Sequence, residues 1–319
     1  MTTTLPDPTK PMKIGTRGSP LALAQAYETR DRLAAAFDLP EAAFEVVVIK
    51  TTGDDRAMIA ADRPLKEIGN KGLFTREIED QLLNGEIDIA VHSMKDMPTE
   101  QPPGLTLDCY LPREDSRDAF VALEMTAISQ LPEGAVVGTS SLRRKAQLLY
   151  RRPDLKVVEF RGNVQTRLGK LRDGVAEATF LAMAGLTRLG MLDEVPHGAI
   201  GPDDMLPALA QGAIGIERRS HDTNTAEMLG AIHDDVTAHR LAAERSFLAT
   251  LDGSCETPIA GLAEIDGDTL RLRGEILRTD GSESLSGEIS GPVSEGADLG
   301  RALAQRLLSR AGPDFFDWG

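Results

Sequence analysis

Short apolar runs alternate with amphipathic stretches along the first part of the chain, and this alternation predicts strands and helices in turn. Residues 12–17 and 44–50 are apolar runs typical of buried strands. Between them, Ser19 is a suitable N-cap and Pro20 a suitable first residue for an Ala-rich helix over 21–37. The pattern then continues with a polar loop over 51–72, a helix over 75–84 and strands over 87–91 and 105–110.

The strand predicted over 87–91 changes abruptly into a polar string that contains His92, Ser93, Lys95 and Asp96. Strands that end in such groups are how an open α/β sheet presents chemistry at its carboxyl edge. For one strand end alone, a solvated ion pair of Lys95 and Asp96 on a turn is the favoured interpretation, since surface ion pairs often contribute nothing measurable. The other strand ends of the chain decide between these interpretations.

A charged stretch over residues 111–118 predicts a hinge, because the strand and helix pattern restarts after it. The second α/β unit is predicted to contain strands over 135–138, 156–160 and 178–183 and helices over 142–151 and 164–173. Residues 206–217 then suggest a return connection into a strand, which would make the first domain discontinuous. A final α+β part is predicted from helices over 235–250 and 299–309 and alternating strands over 259–265, 270–277 and 284–289.

The composition of the chain excludes several classes of function but does not identify one. The 319 residues have a net charge of −15, which argues against general nucleic-acid binding, because neutralising phosphates needs a basic surface. No run approaches the about 18 apolar residues of a membrane span, and the polar start of the chain predicts no secretory signal. Two cysteines cannot form a disulfide framework, which fits the cytoplasm, and the five scattered histidines lack metal-ligand spacing.

Four predicted strand ends share one design, in which hydroxyl or amide side chains and basic residues stand together. They are Thr16-Arg17-Gly18-Ser19, His92-Ser93-Met94-Lys95-Asp96, Thr139-Ser140-Ser141-Leu142-Arg143-Arg144, and Arg161-Gly162-Asn163 followed by Arg167. Helix N-termini favour anions, and the arginine fork matches a carboxylate. One such end would be an ordinary N-cap beside a solvated arginine, but four in an acidic chain indicate a ligand with several carboxylates between two domains. No nucleotide-binding glycine motif is present.

Cys255 lies in the short sequence Gly253-Ser-Cys-Glu256, directly after the long helix predicted over 235–250. Two interpretations stay open from the residues alone: a small packed hydrophobe, which is a common role of free cysteine, and a site of permanent covalent attachment. No histidine motif nearby supports Cys–His catalysis. Cys109 lies inside a predicted strand and is expected in the core.

Five motifs, in order along almost the whole chain, resemble those of the porphobilinogen deaminase family, also called hydroxymethylbilane synthases. They are Val91-His-Ser-Met-Lys-Asp96-Met-Pro98, Val137-Gly-Thr-Ser-Ser-Leu-Arg-Arg144, Phe160-Arg-Gly-Asn-Val-Gln-Thr-Arg167, Leu209-Ala-Gln-Gly-Ala-Ile-Gly-Ile-Glu217 and Gly253-Ser-Cys255. The resemblance implies an α/β fold with two periplasmic-binding-protein-like domains flanking a cleft, plus a small C-terminal α+β domain. The implied boundaries are residues 1–112 with 211–231, residues 113–210, and residues 232–319.

The resemblance also implies a cytoplasmic, monomeric transferase that condenses four porphobilinogen molecules into hydroxymethylbilane, with loss of ammonia and without metal, nucleic acid or membrane. A dipyrromethane cofactor would be attached through a thioether to Cys255, and Asp96 would be the catalytic carboxylate. The cofactor's carboxylates would be held by Lys95, Ser141, Arg143 and Arg144. Substrate and growing chain would be bound by Arg17, Ser19, Arg161, Arg167, Lys71 and Gln211.

One position departs from the family pattern. Glu67 stands where some members have lysine, in the loop before Gly69-Asn-Lys71-Gly72, so no role is carried over to it, and a lid function of that loop is only a hypothesis. The rival interpretation is a non-enzymatic solute-binding protein for a polycarboxylate. The absence of a predicted signal peptide and the third domain with Cys255 argue against that rival.

Overall fold

The computed structural model describes residues 3–51, 75–253, 257–312 and 315. The chain divides into two compact units and passes between them more than once. Unit 1 is assigned Met1–Arg56, Asn70–Arg113 and Ala213–Ala238, and unit 2 is assigned Ala57–Gly69, Glu114–Gly212 and His239–Gly319. Lys71, Glu67, Cys255 and the greater part of the expected lid loop lie outside the described residues.

The described residues form thirteen strands and eight α-helices. The strands are β1 (Met12–Arg17), β2 (Phe44–Ile49), β3 (Ile89–Ser93), β4 (Leu105–Tyr110), β5 (Asp118–Ala122), β6 (Val136–Gly138), β7 (Lys156–Val158), β8 (Ala178–Ala182), β9 (His197–Ala199), β10 (Ile214–Arg219), β11 (Ile259–Asp266), β12 (Thr269–Leu277) and β13 (Ser284–Pro292). The helices are α1 (Pro20–Phe37), α2 (Arg76–Leu83), α3 (Leu142–Arg151), α4 (Val164–Arg172), α5 (Met183–Arg188), α6 (Thr223–Gly230), α7 (Asp235–Thr250) and α8 (Gly296–Leu308).

Unit 1 contains a five-stranded sheet in the order β2-β1-β3-β10-β4. β1 pairs in parallel with β2 and β3, whereas β10 runs antiparallel to β3 and β4. The core on this sheet includes Ile14, Leu33 and Ile216, all fully buried. β2 forms the sheet edge, so it is only partly covered: Val48 is 52% exposed, although the sequence predicted a buried strand.

Unit 2 contains a second five-stranded sheet, in the order β7-β6-β8-β5-β9, with β6 parallel to its neighbours and β5 antiparallel to its own. It also contains an antiparallel sheet in the order β11-β12-β13, against which α8 packs. The expected fold class, two α/β parts with an α+β part at the end, is confirmed. The domain boundaries inferred from the sequence stay a prediction.

β5 was not predicted; it begins at Asp118, the last residue of the stretch that the sequence predicted as a hinge. All of Asp118–Ala122 is buried, and its first residue is charged. A charge at the start of so short an apolar run suggested a connector, because aspartate is rarely buried without a partner. Three short elements, α5, β9 and α6, were also missed, since they span only three to eight residues.

Within the described part of the chain, no helix combines the length and the apolar character that crossing a bilayer requires.

Candidate active site

In unit 1, the turn from β1 into α1 places two of the predicted substrate-binding residues. Arg17 is the last residue of β1, and Ser19 is the N-cap of α1, with its Oγ accepting a hydrogen bond from the Ala22 N–H at 3.2 Å. Pro20 takes the first helical position, as predicted. The cap therefore fixes a hydroxyl two residues beyond an arginine at a strand end.

β3 continues two residues further than predicted, through His92 and Ser93, and then enters a short 3₁₀ turn, Met94–Asp96. Met94 is 1% exposed and anchors the turn in the core, whereas Lys95 and Asp96 on the same turn are half-buried. The carboxylate of Asp96 makes no hydrogen bond or ion pair within the described part of the chain.

In unit 1, these groups line a cavity of about 80 Å³. Its lining includes Arg17, Ser19, Ser93 and Asp96, together with Gln25 from α1. The buried Gln25 amide lies 2.9 Å (Nε2) and 3.0 Å (Oε1) from the Ser93 Oγ and so links α1 to the end of β3. The cavity thus combines a guanidinium, three hydroxyls (Thr75 is the third) and a carboxylate, a set able to bind a ligand that carries both acidic and N–H groups.

A buried acid–base pair lies next to this cavity and was not singled out from the sequence. His92 lines the cavity, and its Nε2 lies 3.2 Å from Oε2 of Glu217 on the neighbouring strand β10. Glu217 is fully buried. Burial raises the pKa of nearby Glu79, and the negative charge of Glu217 adds to the rise.

In unit 2, a fully buried carboxylate joins three of the predicted site residues. Asp118 at the start of β5 accepts hydrogen bonds from Arg143 (Nη1 to Oδ2, 2.7 Å) and Arg144 (Nη2 to Oδ1, 2.8 Å). The Gln211 Nε2 donates to Asp118 Oδ1 at 2.9 Å. Ser141 is the N-cap of α3, the helix that carries both arginines. Asp118 was not predicted, although a charged residue directly before four apolar residues could have signalled a strand.

The charges in this cluster change one another's pKa values. Burial by itself raises the pKa of Asp118, but the Arg143 and Arg144 guanidiniums outweigh it and hold that pKa well below its usual range. Burial, together with the charge of Arg144, lowers the pKa of Arg167 to about 10. Arg167 and Arg144 donate to the same carbonyl, that of Phe180, each at 3.1 Å.

Positive charge exceeds negative charge here, because two guanidiniums, those of Arg143 and Arg144, pair with the single Asp118 carboxylate. The guanidinium of Arg167 lies near that of Arg144. Two donors also stay unused. The buried Nε atoms of Arg143 and Arg161 make no hydrogen bond in the described structure. Buried donors in native proteins normally have partners, so these atoms point to an anionic ligand.

The predicted residues therefore fall into two groups, each described within its own unit. Arg17, Ser19 and Asp96 line the cavity of unit 1, and Lys95 lies on the turn beside it. In unit 2 the structure joins Arg143, Arg144 and Gln211 through Asp118, with Arg167 alongside. Ser141 and Arg161 belong to the same unit, and Lys71 and Cys255 lie outside the described residues.

Two family models match the chain in sequence order. Residues 12–227 match the porphobilinogen deaminase dipyrromethane cofactor-binding domain, and residues 238–309 match the porphobilinogen deaminase C-terminal domain. The chain belongs to the porphobilinogen deaminase family. It is a transferase of tetrapyrrole biosynthesis that acts on porphobilinogen and uses a dipyrromethane cofactor, as the sequence predicted.

Relatives in other organisms agree with this assignment. The porphobilinogen deaminase of Paracoccus denitrificans is 69% identical over 316 residues, covering 99% of each chain. The chloroplastic porphobilinogen deaminase of Oryza sativa subsp. japonica is 52% identical over 311 residues, covering 96% of this chain and 86% of the relative. A probable amino-acid ABC transporter extracellular-binding protein from Bacillus subtilis is only 14% identical, with a TM-score of 0.42 over 74% of this chain and 97% of the other, too distant to indicate function.

The residues of unit 2 fit the dipyrromethane cofactor of the porphobilinogen deaminase family, whose pyrroles carry acetate and propionate groups. The unused Nε donors of Arg143 and Arg161, and the two guanidiniums that share one Asp118 carboxylate, would suit anionic partners. Asp118 does not exclude this role. Each guanidinium has five N–H donors, and Asp118 takes two from each arginine, leaving others available.

Proposed function

We propose that Asp96 is the catalytic carboxylate of porphobilinogen condensation. The observation that carries the proposal is its half-buried carboxylate, which lines a cavity with Arg17 and has no partner in the described structure. A carboxylate held in that way is available to accept N–H hydrogen bonds and to stabilise positive charge. The 3₁₀ turn anchored by Met94 supports the required rigidity.

Each condensation forms one C–C bond, releases the aminomethyl nitrogen as ammonia and removes one proton from the attacking pyrrole carbon. Positive charge develops on the incoming ring as ammonia leaves, and Asp96 is placed to offset it. The same carboxylate then accepts or relays the proton, which combines electrostatic and general acid–base roles in one group. Four such condensations would add four units in a chain to the cofactor. Water would then cleave the C–C bond between the cofactor and the first added unit, giving its hydroxyl to the methylene of that unit and a proton to the cofactor's pyrrole carbon, and so release the linear hydroxymethylbilane.

When bound, the dipyrromethane would supply the terminal pyrrole carbon to which the first unit is joined, and each later unit would be joined to the end of the growing chain. We assign its carboxylates to Lys95, Ser141, Arg143 and Arg144, and its thioether to Cys255. The excess of guanidinium over carboxylate around Asp118 supports this part of the assignment.

Substrate and growing chain are assigned to the remaining basic and polar residues of the motifs, with the first two lining the cavity of Asp96. They are Arg17, Ser19, Arg161, Arg167, Lys71 and Gln211. The unused Nε of Arg161 supports its role. We retain the three-domain division of residues 1–112 with 211–231, 113–210 and 232–319, and assign no role to Glu67.

Asp96→Asn tests the catalytic assignment, because it keeps the shape of the side chain and removes its charge. Turnover should fall by about 10²-fold or more, while the protein still carries the covalent cofactor. Asp80→Asn is the matched control, since Asp80 is an exposed aspartate on α2. Steady-state turnover with intact-mass measurement checks both. Near-normal turnover of Asp96→Asn would refute the assignment.

The covalent assignment is tested by intact-protein mass. Purified enzyme should be heavier than its sequence by two pyrrole units, and Cys255→Ala should lack both the added mass and the activity. Cys109→Ala is the control and should retain both, because Cys109 is buried in the unit 1 core. A fully active Cys255→Ala variant would rule out the thioether.

We further propose that the enzyme is a cytoplasmic monomer without nucleic-acid or membrane partners. The net charge of −15 and the free, buried thiol of Cys109 support this setting. Light scattering on a gel-filtration column should give the mass of one 34.3 kDa chain plus its cofactor. A dimer mass would contradict the monomer.

A further inference from the structure

The segment of residues 206–211 connects the arginine cluster of unit 2 to the antiparallel sheet of the same unit. At its first residue, the Leu206 carbonyl accepts hydrogen bonds from Arg143 Nη1 at 2.8 Å and from Gln147 Nε2 at 2.9 Å. Gln147 Oε1 in turn accepts from the Leu206 N–H at 2.9 Å. At its last residue, Gln211 reaches Asp118. Both ends of the segment therefore touch the groups that orient Arg143 and Arg144.

The other side of this segment is fixed to β11. The Gly261 N–H donates to the Pro207 carbonyl at 3.1 Å. A Cβ at Gly261 would lie 2.7 Å from Leu209 Cδ2 and 3.0 Å from the Arg273 carbonyl, so only glycine allows this approach. Leu209 is 6% exposed and belongs to the core of the antiparallel sheet. The segment cannot move without disturbing that core.

Glu244 on α7 holds the middle of the segment. This carboxylate is fully buried and accepts hydrogen bonds from the Ala210 N–H at 2.5 Å and the Ala263 N–H at 2.8 Å. Ala210 has a φ of +61°, a left-handed conformation that a residue with a Cβ rarely adopts. It precedes Gln211, whose N–H donates to the Ala208 carbonyl at 3.0 Å and closes the turn. Glu244 thus stabilises an unfavourable backbone conformation directly before the residue that contacts Asp118.

We propose that Glu244 is a positioning residue for the arginine pair, acting through Ala210, Gln211 and Asp118. Because the segment is hydrogen-bonded to α7 and β11 on one side and to Arg143 and Asp118 on the other, the positions of α7 and β11 determine those of Arg143 and Arg144. α7 ends at Thr250, five residues before Cys255 in sequence. This fixes the position of Arg143 and Arg144 relative to α7, the helix that precedes Cys255 in the sequence. This inference rests on the cofactor assignments of the proposed function.

The test is the rate at which cofactor-free protein gains the mass of two pyrrole units when incubated with porphobilinogen. In Glu244→Gln, the side-chain NH₂ faces the N–H of either Ala210 or Ala263. Because two donors cannot bond to each other, one of the two hydrogen bonds is lost while the side-chain volume hardly changes. The rate should fall by about tenfold or more, as expected for a displaced binding group. Leu33→Ala, in the core of unit 1, is the control for lost stability. At a comparable fall in Tm, its rate per folded molecule should stay within about twofold of wild type, because mutations without shared partners act independently.

A double-mutant cycle with Gln211→Ala separates positioning from general weakening. If Glu244 acts through Gln211, the double variant gains mass no more slowly than the slower single variant. The inference would be overturned if the double variant's reduction in rate equalled the product of the two single reductions. It would also be overturned if Glu244→Gln gained mass at the wild-type rate. Gly261→Ala disturbs the same segment from the other side and replaces Glu244→Gln in the cycle if that variant does not fold. If wild-type protein gains no mass, the cofactor assignments fail and this inference falls with them.

Discussion

Asp118 illustrates how one buried side chain can organise several functional ones. It offers two oxygens to two guanidiniums and one amide, and none of the four residues is more than 7% exposed. Taking these charges out of water is costly, and the cost is offset only because the geometry is nearly complete. The remaining positive charge is then held in place for a ligand.

Asp118→Asn should destabilise the protein by about 3–5 kcal/mol, because it leaves two buried guanidiniums without their counter-charge. Urea unfolding monitored by circular dichroism at pH 7 checks the value. The matched control is Asp154→Asn, which removes an aspartate paired with Arg152 near the surface, where side-chain exposures are 25% and 27%. The control should lose much less. Equal losses of unfolding free energy in Asp118→Asn and Asp154→Asn would show that the burial of Asp118 does not add to its contribution to stability.

The same carboxylate should make stability depend on pH. The pKa of Asp118 is lower in the folded protein than in the unfolded chain. Its stabilising contribution is therefore complete above the unfolded value of about 4 and is lost as the pH falls towards the folded value. The stability difference between wild type and Asp118→Asn should accordingly shrink between about pH 5 and pH 3. A difference that grows on acidification would have the wrong sign.

At the scale of elements, N-caps set the directions of the functional arginines. Asn163 caps α4, the helix of Arg167: its Oδ1 accepts from the Thr166 N–H at 2.9 Å and from the Thr166 Oγ1 at 2.8 Å. Arg167 lies one turn into this helix and donates from Nε to the Gly162 carbonyl at 3.0 Å. The cap and the arginine therefore share one turn of backbone.

Asn163→Ala should lower the free energy of unfolding by about 1 kcal/mol and raise KM for porphobilinogen more than it lowers kcat, because it loosens the turn that carries Arg167. Asn163→Asp is the control: it keeps the cap oxygen and adds a charge that a helix N-terminus favours. Thermal unfolding and steady-state kinetics measure both. A change in kcat without a change in KM would show that the Asn163 cap does not affect substrate binding.

Local signals predicted most elements. The N-cap Ser19 lies where the sequence predicted it. Ser141 caps α3 in the same way, and Gly85 and Gly174 follow two helices with φ values of +73° and +71°. Long-range pairing was not predictable in this way. Asp118 and Arg143 are 25 residues apart, and Glu217 and His92 are 125 apart, so each acid stands among residues that give no local sign of its partner. The resemblance named Asp96 and the arginines but not the carboxylates that support them.

At the scale of the whole molecule, the two five-stranded sheets repeat one plan. In each, three strands run parallel beside an antiparallel strand, β10 in unit 1 and β5 in unit 2. Each of these antiparallel strands carries a fully buried acid, Glu217 or Asp118, that pairs with basic side chains. In unit 2 this acid pairs with predicted site residues, whereas in unit 1 it pairs with His92 beside the cavity that Asp96 lines.

The two cysteines of the chain allow the covalent assignment to be read by counting thiols in the whole molecule. Cys109 is 3% exposed, its Sγ lies 3.4 Å from the Leu229 carbonyl, and burial raises its pKa to about 12. The reactive thiolate is therefore almost absent at pH 8, and Cys109 should not react with Ellman's reagent in the native protein.

In urea, cofactor-loaded protein should show one reactive thiol, that of Cys109, and cofactor-free protein should show two. The difference arises because a thioether sulfur at Cys255 cannot form the thiolate that attacks the reagent. Cys255→Ala should show one thiol in urea whether or not it has met porphobilinogen. Two thiols from loaded protein in urea would mean that the added mass is attached elsewhere than at sulfur.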